Sequence, residues 1–186
     1  MQEILPDIHM WSWFSEPHGY NFNGYLIRDG GGNLCIDPVE PGEENLAAIG
    51  RAGVAGIILT NRNHSRAANA VRARTHAKTL IHRDDAAHAR GQGAEIDGEL
   101  RAGVKIGPLA VVAARGKSPG EVALHWPDRK ILIVGWLSSA ARMPLPGRVS
   151  SVIVVCRVLS MDMVAFAPVI VVAIGSSSAV GATCFR

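Results

Sequence analysis

The chain has 186 residues, 48% of them hydrophobic and 19% charged. That is enough apolar material for a sizeable core in one domain, and it excludes global disorder. Nineteen basic residues against sixteen acidic ones leave a net charge of +3, too balanced for a dedicated nucleic-acid binder. The three cysteines, Cys35, Cys156 and Cys184, are odd in number and lack C-x-x-C spacing, which argues against a disulfide scaffold or a zinc ribbon. The opening residues Met1–Asp7 lack the basic and apolar regions of a signal peptide. The cytoplasm is therefore the expected location.

In chain order, Met10–Phe14 and Tyr20–Arg28 read as strands. The Gly30-Gly31-Gly32 turn and Leu34–Asp37 complete a hairpin. Pro41-Gly42-Glu43-Glu44 opens a helix running to about Arg51, with acidic residues in its first turn. Gly56–Thr60 is a short, wholly apolar strand of the kind covered on both faces. A helix over 65–75, a strand over 79–82 and a helix over 84–90 follow. Strands are expected at 104–106, 109–113, 122–126 and 131–134. Hairpins, then strand–helix–strand units, then hairpins again predict a layered α/β or α+β sandwich.

Composition changes after residue 135. Beyond Lys130 there is no Lys, Glu, His, Asn, Gln or Tyr, and the only charges are Arg142, Arg148, Arg157, Asp162 and Arg186. The apolar run Met163–Ile174 contains Pro168 and is short for a span of about 20 residues. Val152–Val155 and Val169–Val172 read instead as strand cores. The chain thus divides into a domain over 1–135 and an atypical apolar tail over 136–186. The abrupt change supports a frameshifted or otherwise displaced continuation, leaving the C-terminal part of the fold incomplete.

Five segments in order carry a resemblance: Asn23–Ile27, Leu34–Pro38, Ile57–Thr60, Ser118–Leu124 and Lys130–Gly135. Over roughly its first 135 residues the sequence resembles the metallo-β-lactamase-fold family. The resemblance implies an αββα sandwich with its site along one sheet edge and, for most members, hydrolysis of esters, thioesters, amides or phosphodiesters.

The family motif His-x-His-x-Asp-His would follow Leu59-Thr60. Here those positions hold Asn61, Arg62, Asn63, His64, Ser65 and Arg66. The next ligand position, a His before Ser-Pro-Gly, is Lys117, and the bridging Asp is Trp136. Zinc needs imidazole, thiolate or carboxylate donors, and two cations at ligand positions would repel it. No metal and no cofactor are therefore expected, which removes the activated water of the usual mechanism. His64 alone cannot restore the site.

Asn61, Asn63, Arg66 and Lys117 would converge in the resembled fold as a binding cluster for a small anion. Arg66 would also lie near a helix start, while Arg62 would point elsewhere. The alternative is a hydrogen-bond network that replaces the metal in holding the loop. Three functions follow: a metal-free small-molecule or anion-binding pseudoenzyme; a metal-independent hydrolase, with His64 as general base and Lys117 and Arg66 on the oxyanion; or an interaction or membrane-tethered protein acting through its tail. His9, His18, His76, His82, His88 and His125 show no ligand spacing and are expected to be exposed or hydrogen-bonded. Asp84-Asp85 reads as a solvated helix start. Trp11, Trp13, Phe14 and Tyr20 read as ordinary strand packing. Ser65 and Ser118 lie outside any nucleophile motif.

Overall fold

A computed structural model of the chain describes residues 1–114 and 116–135, with the backbone of three further strands at 151–154, 170–173 and 181–184. Two seven-stranded sheets are built from successive stretches of chain. The first runs β1 (Gln2–Leu5), β2 (Ile8–Ser15), β3 (Tyr20–Ile27), β4 (Leu34–Ile36), β5 (Gly56–Leu59), β6 (Lys78–His82) and β7 (Gly98–Leu100), in spatial as well as chain order. Its first four strands pair antiparallel through tight connections. From β4 onward the pairing is parallel. Parallel neighbours need crossovers, supplied by α1 (Gly42–Ala52), α2 (Ala68–Thr75) and α3 (Arg83–Gly91).

The second sheet contains β8 (Lys105–Ile106), β9 (Leu109–Ala113), β10 (Val122–Trp126), β11 (Ile131–Val134), β12 (Ser151–Val154), β13 (Ile170–Ala173) and β14 (Gly181–Cys184). Its spatial order again follows the chain order, and β12 lies parallel to β11 in full register from Ile131↔Ser151 to Val134↔Val154.

Period-two alternation splits each central strand between two cores. On β4, Leu34 and Ile36 face the space between the sheets, where Ile58, Val111, Leu124 and Ile133 meet them. Cys35 faces the other way, with Ile57, Leu59 and Ile81, under helix residues Ile49, Val71 and Ala89. This double burial explains why Gly56–Leu59 reads as an unbroken apolar run. The helices end as their sequences dictate. Gly53 takes φ 72° after α1, and its N–H returns to the carbonyls of Ile49 and Gly50. His76 takes the left-handed conformation after α2. His82 caps α3, its ring accepting from the N–H of Asp84.

Most predicted elements fall where the pattern places them. Strands β1 and β7 were not anticipated, being short and largely polar. Two expectations need correction. His125 is neither exposed nor hydrogen-bonded: it is 1% exposed, and neither ring nitrogen has a hydrogen-bond partner among the described residues. Asp85 is not solvated; it is fully buried. The Val-rich segments do form strand backbone, as β12 and β13. Most of the proposed apolar span over 163–174, and Trp136, lie outside the described residues. No helix among the described residues is long and apolar enough to cross a membrane.

Candidate functional site

The C-terminal ends of β4 and β5 deliver the central groups. Asp37 follows β4 with φ 45°, a left-handed conformation that a short polar side chain tolerates. Its N–H donates to the carbonyl of Ile58, fixing it against β5. Its buried carboxylate accepts from the Thr60 N–H at 2.7 Å, from the Thr60 hydroxyl, and from His64 Nδ1 at 2.9 Å. A carboxylate only accepts, so the shared proton belongs to His64 Nδ1.

Asn61 begins a second network. Its Nδ2 donates to Ser118 Oγ at 3.0 Å, and its Oδ1 accepts from the Asn63 N–H at 3.0 Å. The Ser118 hydroxyl donates in turn to Asp85 Oδ2, 2.5 Å away. Asp85 sits in the first turn of α3, and it also accepts from the N–H groups of Arg62 and Gly120. The Arg62 side chain closes this network with Nε at 2.9 Å and a terminal nitrogen at 2.8 Å from Asp85. Both nitrogens meet the one oxygen Oδ1, and a charge-assisted, partly buried pair of this kind is stronger than an exposed one.

Two glycines make room for these networks. A Cβ on Gly120 would lie 2.8 Å from Asp85 Cγ and 2.9 Å from His82 Nδ1. A Cβ on Gly135, after β11, would lie 2.6 Å from Thr60 Oγ1 and 2.9 Å from His64 Cε1. The Val122 N–H donates to the Thr60 carbonyl, so the second sheet is tied to the first at this point.

The residues singled out from sequence therefore separate. Asn61 and His64 are buried within the networks; Asn63, Arg66 and Lys117 are exposed. Arg62 points away from them to Asp85, as expected of a strand-end neighbour. Arg66 lays its guanidinium over the Phe22 ring, 3.8 Å from the centroid. Lys117 is anchored through its backbone N–H, which donates to Glu121 Oε2 at 2.6 Å. Asp37, Thr60 and Asp85 were not recognised as site residues. The signal for Asp37 is its place at a strand end before a helix. Asp85 gives none, because its partners are distant in sequence.

The fold family implies a metal, and these residues do not fit one. Both ends of the Asn61 amide are engaged within the protein. His64 Nδ1 is engaged by Asp37, and the last motif position is a cation stacked on a ring. Among the described residues, no three His, Cys, Asp or Glu side chains gather as ligands.

A sequence profile described as metallo-beta-lactamase superfamily matches residues 2–165. Among solved structures, the di-iron-bound form of TTHA1623 is 22% identical, with a TM-score of 0.54 over 77% of this chain and 89% of that one. The DIM-1 metallo-beta-lactamase is 19% identical, with a TM-score of 0.61 over 72% of this chain and 67% of its own. A metallo-beta-lactamase from Erythrobacter litoralis is 15% identical, with a TM-score of 0.61 over 73% of this chain and 68% of its own. Among curated proteins, no sequence matches the chain.

Proposed function

The chain belongs to the metallo-β-lactamase superfamily, and from that premise we propose that it is a metal-free member, a pseudoenzyme that binds a small anion. Asn61 carries this reading. At the first ligand position of the motif stands a buried amide whose donor and acceptor are both satisfied by Ser118 and Asn63. Turning it toward a cation would leave Ser118 and the Asn63 N–H without those bonds, at about 1–3 kcal/mol for the buried Ser118 group.

The anion half of the proposal rests on charge and exposure. Asn63, Arg66 and Lys117 are all exposed, and Arg66 and Lys117 occupy positions where this superfamily otherwise carries metal ligands. An amide N–H, a guanidinium and an ammonium suit a carboxylate or phosphate. A metal-independent hydrolase is the second reading. The Asp37–His64 pair favours it, since an oriented neutral imidazole is the usual form of a general base. The burial of His64, only 2% exposed, favours binding over catalysis.

Elemental analysis of protein purified with zinc present should find far less than one zinc per chain. One or two zinc ions per chain, lost when Asn61 and Asn63 become Ala, would end the metal-free reading. Thermal shifts with phosphate and acetate, in the parent and in Arg66→Gln/Lys117→Gln, test the anion. Identical responses in the two proteins rule it out. A rate on generic esters that tracks one ionisation and vanishes in His64→Ala would establish the hydrolase instead.

A further inference from the structure

Asp85 is a buried carboxylate on which three elements meet. It stands in the first turn of α3, with its side chain 0% exposed. From the loop after β5, the Arg62 N–H donates to Oδ2 at 3.1 Å, and two side-chain nitrogens of Arg62 reach Oδ1 at 2.9 and 2.8 Å. From the loop before β10, the Ser118 hydroxyl donates to Oδ2 at 2.5 Å and the Gly120 N–H to Oδ1 at 3.2 Å. These partners lie 23, 33 and 35 residues from Asp85 along the chain. The Gly120 backbone comes so near that a Cβ there would fall 2.8 Å from Asp85 Cγ.

Charge separates one partner from the others. A carboxylate removed from water needs a counter-charge as well as donors. Ser118 and Gly120 are neutral, and among the described residues Arg62 is the one cation paired with Asp85. The guanidinium therefore compensates the charge on which the donors of the second loop are gathered. The superfamily carries ligands at 61 and 63 on the first loop and at 117 on the second, and a metal shared between them would tie the two loops together. Here those positions hold Asn61, Asn63 and Lys117. The charged connection runs one residue along each loop instead, from Arg62 through Asp85 to Ser118.

We propose that the Arg62–Asp85 ion pair is the clamp that holds the two site loops together, so that a guanidinium does in this chain what a shared metal ion does where the ligands are present. This goes beyond the metal-free reading above, because it names what keeps the loops in place. Asn61 also bridges them, donating to Ser118 Oγ at 3.0 Å. That bond is neutral, and it ends on a hydroxyl that Asp85 itself orients.

The test follows backbone amide exchange by NMR in the full chain, at the Gly120 N–H. That group is bound to Asp85 and not to Arg62, so a change at Arg62 reaches it through the carboxylate. Arg62→Gln keeps a donor and removes the charge. It should speed Gly120 exchange by about tenfold or more while amides within α1 keep the parent's rates. Arg62→Lys keeps the charge. Because both Arg62 nitrogens meet a single oxygen, a point charge should retain most of the protection. EDTA should leave the parent unchanged. If Gly120 is as protected in Arg62→Gln as in the parent, the clamp fails and the metal-free reading survives. Equal losses in the Gln and Lys variants show that charge is not what holds the loops, and the inference fails. If α1 opens to the same extent in Arg62→Gln, the pair supports the whole fold and not the two loops, and the inference fails again. If EDTA alone frees Gly120 in the parent, a bound metal holds the loops and both readings fail. If zinc binds stoichiometrically and Arg62→Gln still frees Gly120, the metal-free reading fails and the clamp stands.

Discussion

His64 and Asp37 are held 2.9 Å apart, nitrogen to oxygen, with side chains 2% and 0% exposed. Asp37 serves Thr60 twice through the same carboxylate, so one side chain fixes the entry to the whole motif loop. Asp37→Ala strands three buried donors. It should cost about 1–3 kcal/mol for each buried donor left unpaired. Asp37→Asn keeps the shape and one acceptor and should cost less. Urea unfolding of the two variants checks the order, and equal losses would show that shape matters and the carboxylate does not.

Gly135 should not accept a side chain. A Cβ there falls 2.6 Å from Thr60 Oγ1, inside the network that Asp37 organises. Overpacking of this kind costs about 1–3 kcal/mol. Gly135→Ala should therefore lower the unfolding midpoint. In a Thr60→Ala background the same change should cost clearly less, because the opposing oxygen is gone. A double-mutant cycle measures the difference, and perfect additivity would refute the contact.

Acid stability should depend on Asp97. The Arg72 side chain, and then the Thr79 N–H, hold its carboxyl down at about 2, against about 3.9 for an unstrained aspartate. A carboxyl lowered on folding contributes above its unfolded value and loses that contribution as pH falls through the folded one. The parent should thus exceed Asp97→Asn in stability near neutrality. The gap should close between about pH 4 and pH 2. Urea midpoints over that range test this, and a gap that persists at the lowest pH counts against it.

Cys35 should be inert in the folded protein. Burial first, and the nearby Asp37 charge second, push its thiol well above the ordinary range. Thiolate is the reactive form. In a Cys156→Ser/Cys184→Ser background, a thiol reagent should label Cys35 only as the helix-side core opens. Labelling would then follow unfolding as denaturant is added. Fast labelling without denaturant would contradict the burial.

Much of this architecture is legible in residue patterns. The apolar run of β5 and the acidic start of α1 place those elements nearly to the residue, and β2 is found but two residues short at its start, because each pattern answers to a local constraint. The departures from the metal motif are equally plain, since ligand chemistry is a property of residue type. The replacement network is not legible. Asp85 reads as a solvated helix start because nothing near it in sequence shows that Ser118, Gly120 and Arg62 close over it. His125 likewise gives no sign of burial, since one polar residue in an alternating strand looks like a surface position.

The change of composition after Gly135 still supports a displaced reading frame, although the family match continues to residue 165 and β12 keeps register with β11. The coding DNA decides between the two. A balanced, charge-bearing sequence in another frame past codon 136 is the expected result, and its absence in both alternative frames would make the tail genuine.

Each sheet is drawn from one uninterrupted stretch of chain: the first ends at Leu100 and the second begins at Lys105. The seam has a temporal meaning during synthesis, when a chain emerges residue by residue. The first sheet can complete its ladder while Ser118, Val122 and Gly135 are still within the ribosome. Asp37, Thr60, His64 and Asp85 all belong to that earlier half. The bonds from Ser118 and Val122 across the seam therefore form only after the first sheet's ladder is complete, which makes them a latch that joins the second half to a finished first one.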